Sequence, residues 1–317
     1  MPVLNEEKYL ETAVMSILAQ EFEGPVEVII ALGPSTDATD AIAENLALNF
    51  PVILVRNAAG TTSNGLNLAI AAAKHDVIVR VDAHAKLMPG YTKLAVEILN
   101  QTGAANVGGV MKAVGHRPFQ SAVAWGYNSP FGLGGGSFHV GGQAGPSDSV
   151  YLGVFRRTVL EKLGAFDPAV IRGQDWELNL RIRNSGEVVW FDPRLQVEYH
   201  PRSSWSHLAR QFFDTGIWRG ELTRRNVKAA SLRYFAPPAL VILIAVSLLS
   251  ALLGWTLPLL LPLGYLSAVS ALGIYAGRRV LPGGHVSILL ALPTMHVSWG
   301  AGFIAGFVFR AKPKTSD

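Results

Sequence analysis

Asp82 and His84 close an apolar, β-branched run, VIVRVDAHAKL, at residues 77–87. In a parallel sheet, ligands bind beyond the carboxyl ends of strands. A carboxylate at such an end can hold a divalent cation that bridges two phosphates. The cation then offsets the charge of a diphosphate leaving group. Where a second acid would complete a metal pair, this chain has an imidazole, which suits Mn²⁺ better than Mg²⁺. The same residues also read as an ordinary polar strand end, with Asp82 capping the next turn. One acid after one strand does not decide between the two. A second stretch, SPFGLGGGSFHVGG at 129–142, is glycine-rich but lacks the Lys and Ser/Thr of a phosphate-binding P-loop. It reads as a mobile loop or lid, with His139 its only readily titratable residue.

The elements that must position these residues follow from periodicity. PVEVIIAL, PVILVRN, DVIVRVDA and NVGGVM are short β-rich runs. Between them, apolar residues recur at helical spacing over about 6–20, 37–49, 63–74 and 90–101. Strands alternating with helices of this length predict βαβ units and a mainly parallel sheet. SVYLGVF, EVVWF and QVEYH are later strands, and DWELNLRIRNSG is a helix that stops at Gly186. MPVLNEE reads as the turn after a first strand, with Asn5 capping the following helix. No strand precedes it in this sequence, so the sheet is expected to lack one element and to expose its neighbours' backbone.

The chain has 317 residues, 50% hydrophobic and only 16% charged. A soluble globule carries about 25% charged residues. The apolar excess lies after about residue 230. Stretches at about 235–253, 256–276 and 285–309 each approach the length that spans a bilayer. None has an acid, Lys or Arg in its interior. Three spans place Arg278 and Arg279 on the cytoplasmic side, as the positive-inside rule asks, but put Arg310, Lys312 and Lys314 outside, against it. Just before the spans, residues 203–229 mix Trp205, Phe212, Phe213 and Trp218 with Arg210, Arg219, Arg224, Arg225 and Lys228. That pattern predicts an amphipathic helix in the membrane interface. The net charge of +4 is concentrated near this segment, which favours a membrane surface over nucleic acid. There is no cysteine, which excludes disulfides, thiolate metal sites and a cysteine nucleophile. No signal-peptide pattern is present, so the soluble part is expected on the cytoplasmic side.

Residues 153–202 carry a more specific pattern: strand, Arg156-Arg157, short helix, Gly164-Ala165-Phe166-Asp167, then Gln174-Asp175 opening a helix that ends in glycine. Together with MPVLNEE and NAAGTTSNGLNLAI, this resembles the inverting family 2 glycosyltransferases of GT-A fold. It is closest to the succinoglycan-type exopolysaccharide enzymes that carry C-terminal membrane helices. The resemblance covers about residues 1–230. It implies an α/β, Rossmann-like, mainly parallel GT-A domain over 1–202, an interfacial segment over 203–233 and a membrane domain over 234–310. It also implies a multi-pass inner-membrane protein with a cytoplasmic catalytic domain. This protein would move one sugar from a nucleotide-sugar donor, UDP-linked by default, to a lipid-linked or cell-envelope glycan.

Roles carry over residue by residue. Asp175 matches the family's general base, and an acid in the first turn of a helix is also favoured by the macrodipole. Asp82 and His84 would hold a divalent metal, Mn²⁺ or Mg²⁺ with Mn²⁺ favoured. Glu6, Asn57, Gly60 and Asn67 fall where the family contacts the donor. His139, Trp176, Trp218 and Arg219 fall near the acceptor, Trp176 reading equally well as a core aromatic. The pattern is broken at Leu32-Gly33, where the family has an Asp pair that reads the base. Ser35 or Thr36 there reads as the cap of helix 37–49. Two rivals follow from these departures: an inactive homologue acting as a membrane scaffold, and a transferase whose acceptor is a polyprenyl phosphate.

Overall fold

The computed structural model describes residues 1–309; Arg310, Lys312 and Lys314 lie outside the described residues. The chain divides into two compact units. The first comprises residues 1–112 and 141–199, the second 113–140 and 200–309.

The first unit is an α/β assembly with two sheets. β1 (Pro2–Val3), β2 (Val28–Leu32) and β3 (Val52–Arg56) pair in parallel, Pro2 facing Ala31 and Val28 facing Val52. All five residues of β2 are buried, as expected of a parallel strand covered on both faces. The second sheet contains β4 (Val77–Val79), β5 (Ala85–Leu87), β6 (Asn106–Ala113), β7 (Gly145–Pro146), β8 (Tyr151–Arg156) and β9 (Val189–Tyr199). Its order is β4-β8-β6-β9-β5, with β7 on β9, and β8 runs antiparallel to both β4 and β6. EVVWF and QVEYH belong to one continuous strand, β9. β4 ends at Val79, so Asp82 lies three residues beyond the strand rather than at its last position.

Helices α1 (Leu10–Leu18), α2 (Thr39–Asn49), α3 (Thr62–Ala72) and α4 (Tyr91–Thr102) alternate with the early strands. α1 contributes Leu10, Ala13 and Val14, and α4 contributes Ala95, Ile98 and Leu99, to one core with Ile30, Leu152, Leu195 and Val197. α1 starts at Leu10, so Asn5 does not cap it. Asn5 instead takes a left-handed φ of 54° and accepts a hydrogen bond from Thr36 N at 2.8 Å. It ties the opening turn to the loop after β2.

Between β2 and β4 the layer is interrupted. A cavity of about 320 Å³ is lined by Val28 and Ile29 on one strand and by Val77, Ile78 and Val79 on the other. Residues of α1 and α4 on one side and of α3 on the other complete its walls. The Met1 amino nitrogen lies at its end, where it donates to Ile29 O at 2.8 Å. Burial pushes this amine down to about 5.

In the second unit, α5 (Pro118–Tyr127) is buried along its whole length after Phe119. The glycine-rich loop contains α6 (Pro130–Leu133) and α7 (Ser137–Val140). α8 (Arg157–Leu163) and α9 (Gln174–Asn184) belong to the first unit. α10 (Trp205–Arg225) is a helix within the 203–229 segment. α11 (Ala236–Leu252), α12 (Leu260–Ala276) and α13 (Gly284–Phe309), the first two extended by 3₁₀ turns, form three segments long and apolar enough to cross a membrane. α10 packs along α13 through glycines spaced four apart on both helices. A Cβ on Gly216 would stand 2.9 Å from Phe303 N, and one on Gly306 2.8 Å from Ile217 Cα. Small residues at this spacing let helix backbones approach closely.

Candidate functional site

Arg80 organises the centre of the first unit. Its side chain is only 5% exposed, and a buried guanidinium requires partners. Nε and Nη2 donate to Asp82 Oδ1 at 3.3 and 3.0 Å. Nη1 pairs with Asp175 Oδ1. The guanidinium also lies over the Phe166 ring, 5.6 Å from its centroid. One cation therefore brings together two carboxylates 93 positions apart in sequence (175 − 82). Burial raises the Asp82 pKa, but the Arg80 charge, His84 and the Arg80 hydrogen bonds outweigh it and hold the carboxyl below its ordinary value.

Asp175 is in the first turn of α9, which Gly173 starts with a φ of 77°. That conformation favours glycine. Four peptide N–H groups at a helix start are unpaired within the helix, so Asp175 faces the positive end of α9 as well as the Arg80 guanidinium. The loop ahead of α9 is held from both sides. Asn67 on α3 donates through Nδ2 to Phe166 O at 2.8 Å and accepts from Phe166 N at 3.0 Å. Ser63 donates to Val170 O at 2.9 Å. Arg181 of α9 donates to Leu163 O and Ala165 O, both at 2.6 Å.

His84 makes a second group with the opening turn. Its Nδ1 lies 2.9 Å from Glu6 Oε1, and its ring meets Tyr199 edge-on at 5.9 Å between centroids. With the Nδ1 proton on the Glu6 side, the ring lone pair is on Nε2. Metal-binding histidines commonly show this carboxylate-supported tautomer. A carboxylate oxygen from Asp82 and an imidazole nitrogen from His84 are donor types that a small divalent ion accepts, and an imidazole suits Mn²⁺ better than Mg²⁺.

The remaining predicted residues sort differently. Glu6 contacts His84 through its side chain, while its backbone N donates to Thr39 Oγ1 at 2.7 Å. Asn57 is 2% exposed and donates to Thr61 O at 3.0 Å, ordering the turn into α3. Gly60 has a φ of 64°, and a Cβ there would stand 3.1 Å from Pro34 Cδ. Asn67 is fully engaged with the Phe166 backbone. Trp176 is 5% exposed and packs in the interior. Ser35 and Thr36 do not cap α2; they bond the opening turn, and Asp37 Oδ1 accepts from Thr39 N at 3.0 Å. His139, Trp218 and Arg219 belong to the second unit. Arg80 was not singled out by sequence reasoning. Its signal was available: a cation inside an otherwise apolar strand run, two residues before the acid.

The sequence profile of glycosyl transferase family 2 matches residues 1–164. The chain is 30% identical over 309 residues to the succinoglycan biosynthesis protein ExoA of Rhizobium meliloti (strain 1021), covering 96% of this chain and 92% of that protein. It is 26% identical over 236 residues to the dolichyl N-acetyl-alpha-D-glucosaminyl phosphate 3-beta-D-2,3-diacetamido-2,3-dideoxy-beta-D-glucuronosyltransferase of Methanococcus voltae, covering 71% and 73%. Among solved structures, the fold matches the mannosyltransferase PcManGT of Pyrobaculum calidifontis, determined with GDP-Man and Mn²⁺. Here the TM-score is 0.61 at 18% identity, over 98% of this chain and 86% of that one. It also matches S. aureus TarS 1-349 in complex with UDP-GlcNAc, with a TM-score of 0.54 at 13% identity, covering 96% and 89%.

The depressed Asp82 pKa has a consequence for stability. A carboxylate held below its unfolded value stabilises the fold above that value and loses the contribution as pH falls through the folded one. Asp82→Asn should therefore be less stable than the unsubstituted chain at pH 7, measured in chelator, and the gap should close below about pH 4. A gap that stays constant down to pH 3 would contradict the Arg80–Asp82 pairing.

Proposed function

Because the chain belongs to glycosyl transferase family 2, we propose that it is a membrane-anchored inverting glycosyltransferase. It is a glycosyltransferase acting in polysaccharide or lipid-linked glycan synthesis. The finer reading is transfer of one sugar from a nucleotide-sugar donor, UDP-linked by default, to a lipid-linked or cell-envelope acceptor. The observation that carries it is the buried Arg80 pairing with both Asp82 and Asp175.

In this reading Asp175 is the general base. The acceptor hydroxyl oxygen attacks the anomeric carbon as the bond to the diphosphate oxygen breaks. The electron pair leaves with the nucleoside diphosphate, and the hydroxyl proton passes to the Asp175 carboxylate. Attack from the face opposite the leaving group inverts the anomeric configuration. Arg80 pairs with Asp175 in the resting site and presents positive charge where the diphosphate forms. A divalent ion held by Asp82 and His84 would neutralise the departing diphosphate. Glu6 orients His84 for that task. Gly60, Asn57 and Asn67 shape the donor side by ordering its loops, Asn67 through Phe166 beneath Arg80. Trp176 supports Asp175 from the interior.

The proposed division is a catalytic domain over 1–202, an amphipathic segment over 203–233 and a membrane domain over 234–310, the catalytic domain facing the cytoplasm at the inner membrane. Three apolar helices support membrane association. The acceptor reading is supported by two relatives, one named for succinoglycan biosynthesis and one for transfer to a dolichyl-phosphate-linked sugar.

A donor screen with the purified full chain in detergent tests this, read as nucleoside diphosphate release. Asp175→Asn should lower turnover by about 10²–10⁴-fold. Near-normal turnover would instead favour a phosphate acceptor, which needs no base. No release from any donor would favour the inactive scaffold. Wild type should prefer Mn²⁺ to Mg²⁺, and His84→Asp should shift the preference towards Mg²⁺. An unchanged ratio would remove His84 from the metal.

A further inference from the structure

The second unit contains a cavity of about 530 Å³, within the range of small-molecule sites. Most of its lining is apolar, with Phe131, Phe212 and Trp299 among the aromatic residues. Two guanidinium groups reach it, Arg219 from α10 and Arg233 from the turn that starts the first candidate span. No carboxylate is present among the described residues that line it. Both guanidiniums lie over one ring, Tyr234, at 4.7 and 5.3 Å from its centroid.

Arg233 is a cation in an apolar cavity whose described lining holds no acid, which is costly unless an anion joins it. The polar atoms show the same deficit. Arg233 Nε and His139 Nδ1 are buried and have no hydrogen-bond partner among the described residues. The glycine-rich loop closes on Arg233: a Cβ on Gly136 would stand 3.2 Å from Arg233 Nη1. Burial and the Arg233 charge push the His139 imidazole down to about 3, so it remains neutral and can donate without adding charge. Burial and Arg233 likewise lower the Arg219 pKa, opposed by Tyr234.

The apolar part of the cavity identifies the rest of the ligand. Leu240 of α11 and Met295 and Trp299 of α13 line it, and both helices are long and apolar enough to span a bilayer. A free inorganic anion would leave those walls unused. We propose that this cavity binds the phosphate end of a membrane lipid, an apolar chain esterified to phosphate or diphosphate. The phosphate is held by Arg219 and Arg233 and the first carbons rest against Phe131 and Trp299. Naming this lipid as the carrier of the acceptor rests on the glycosyltransferase reading; the binding itself does not.

The test uses the full chain in non-ionic detergent, without any sugar donor, and reads bound ligand by native mass spectrometry. Farnesyl phosphate, farnesol and inorganic phosphate are the probes. Farnesyl phosphate should bind about tenfold or more tighter than farnesol, and millimolar inorganic phosphate should not displace it. Arg233→Gln should remove about tenfold of that affinity, and Arg233→Lys should restore part of it. Equal binding of farnesol and farnesyl phosphate would overturn the proposal, as would complete displacement by inorganic phosphate or full affinity in Arg233→Gln. Should Arg233→Gln fail to fold, the comparison of the two farnesyl probes on the wild-type chain decides alone. Nucleoside diphosphate release is measured separately, so a failed transferase reading leaves the binding result intact.

Discussion

The first unit depends on keeping one buried guanidinium neutralised. Arg80 follows directly after β4, at the inner edge of the sheet, where water cannot solvate it. A charge in that place is tolerable only with carboxylates in contact, and Asp82 and Asp175 meet that need from two directions. α9 begins just after Gly173, which puts Asp175 in its first turn against Arg80. Asn67, Ser63 and Arg181 all hold the preceding loop by its backbone. These clamps hold the loop that leads into α9, and none of them touches the reacting atoms in the proposed chemistry.

In the proposed reaction a general base must meet two demands: it must be charged before reaction, and it must be able to take a proton during it. The Arg80 contact and a place in the first turn of α9 suit the first. Its 29% side-chain exposure meets the second, because a fully enclosed ion pair would offer no face to an acceptor hydroxyl. Asp82, on the other side of Arg80, is also partly exposed, at 20%. The donor diphosphate and its metal would therefore share one positive centre with the base.

The second unit uses different physics. Where helices are held by small residues, close backbone approach and polar contacts carry much of the association. Glycines on α10 and α13 provide the first. Trp205 Nε1, 2.8 Å from Thr294 Oγ1, provides one of the second. α10 thereby has a fixed partner in α13, and its arginines are ordered with it: Arg224 and Arg225 both bond Glu221, which is 2% exposed. Arg219 departs from that pattern and turns to the aromatic cavity, where Arg233 joins it.

Much of this was legible in the chain itself. Alternating β-rich and helical runs gave the α/β architecture, because periodicity is a local property of the backbone. Uncharged stretches of about 20 residues gave the three candidate spans. The order of short motifs from MPVLNEE to Gln174-Asp175 was enough to place the family. Tertiary structure alone decided what each polar side chain does. It assigned Asn5, Asn57 and Asn67 to the backbone of loops, and it buried Trp176. It also revealed Arg80, and it set Arg233 beside Arg219. Those outcomes depend on contacts between residues far apart in sequence, on the depth of burial and on which partner arrives first at a charge. None of these is written in the spacing of residue types along one strand or helix.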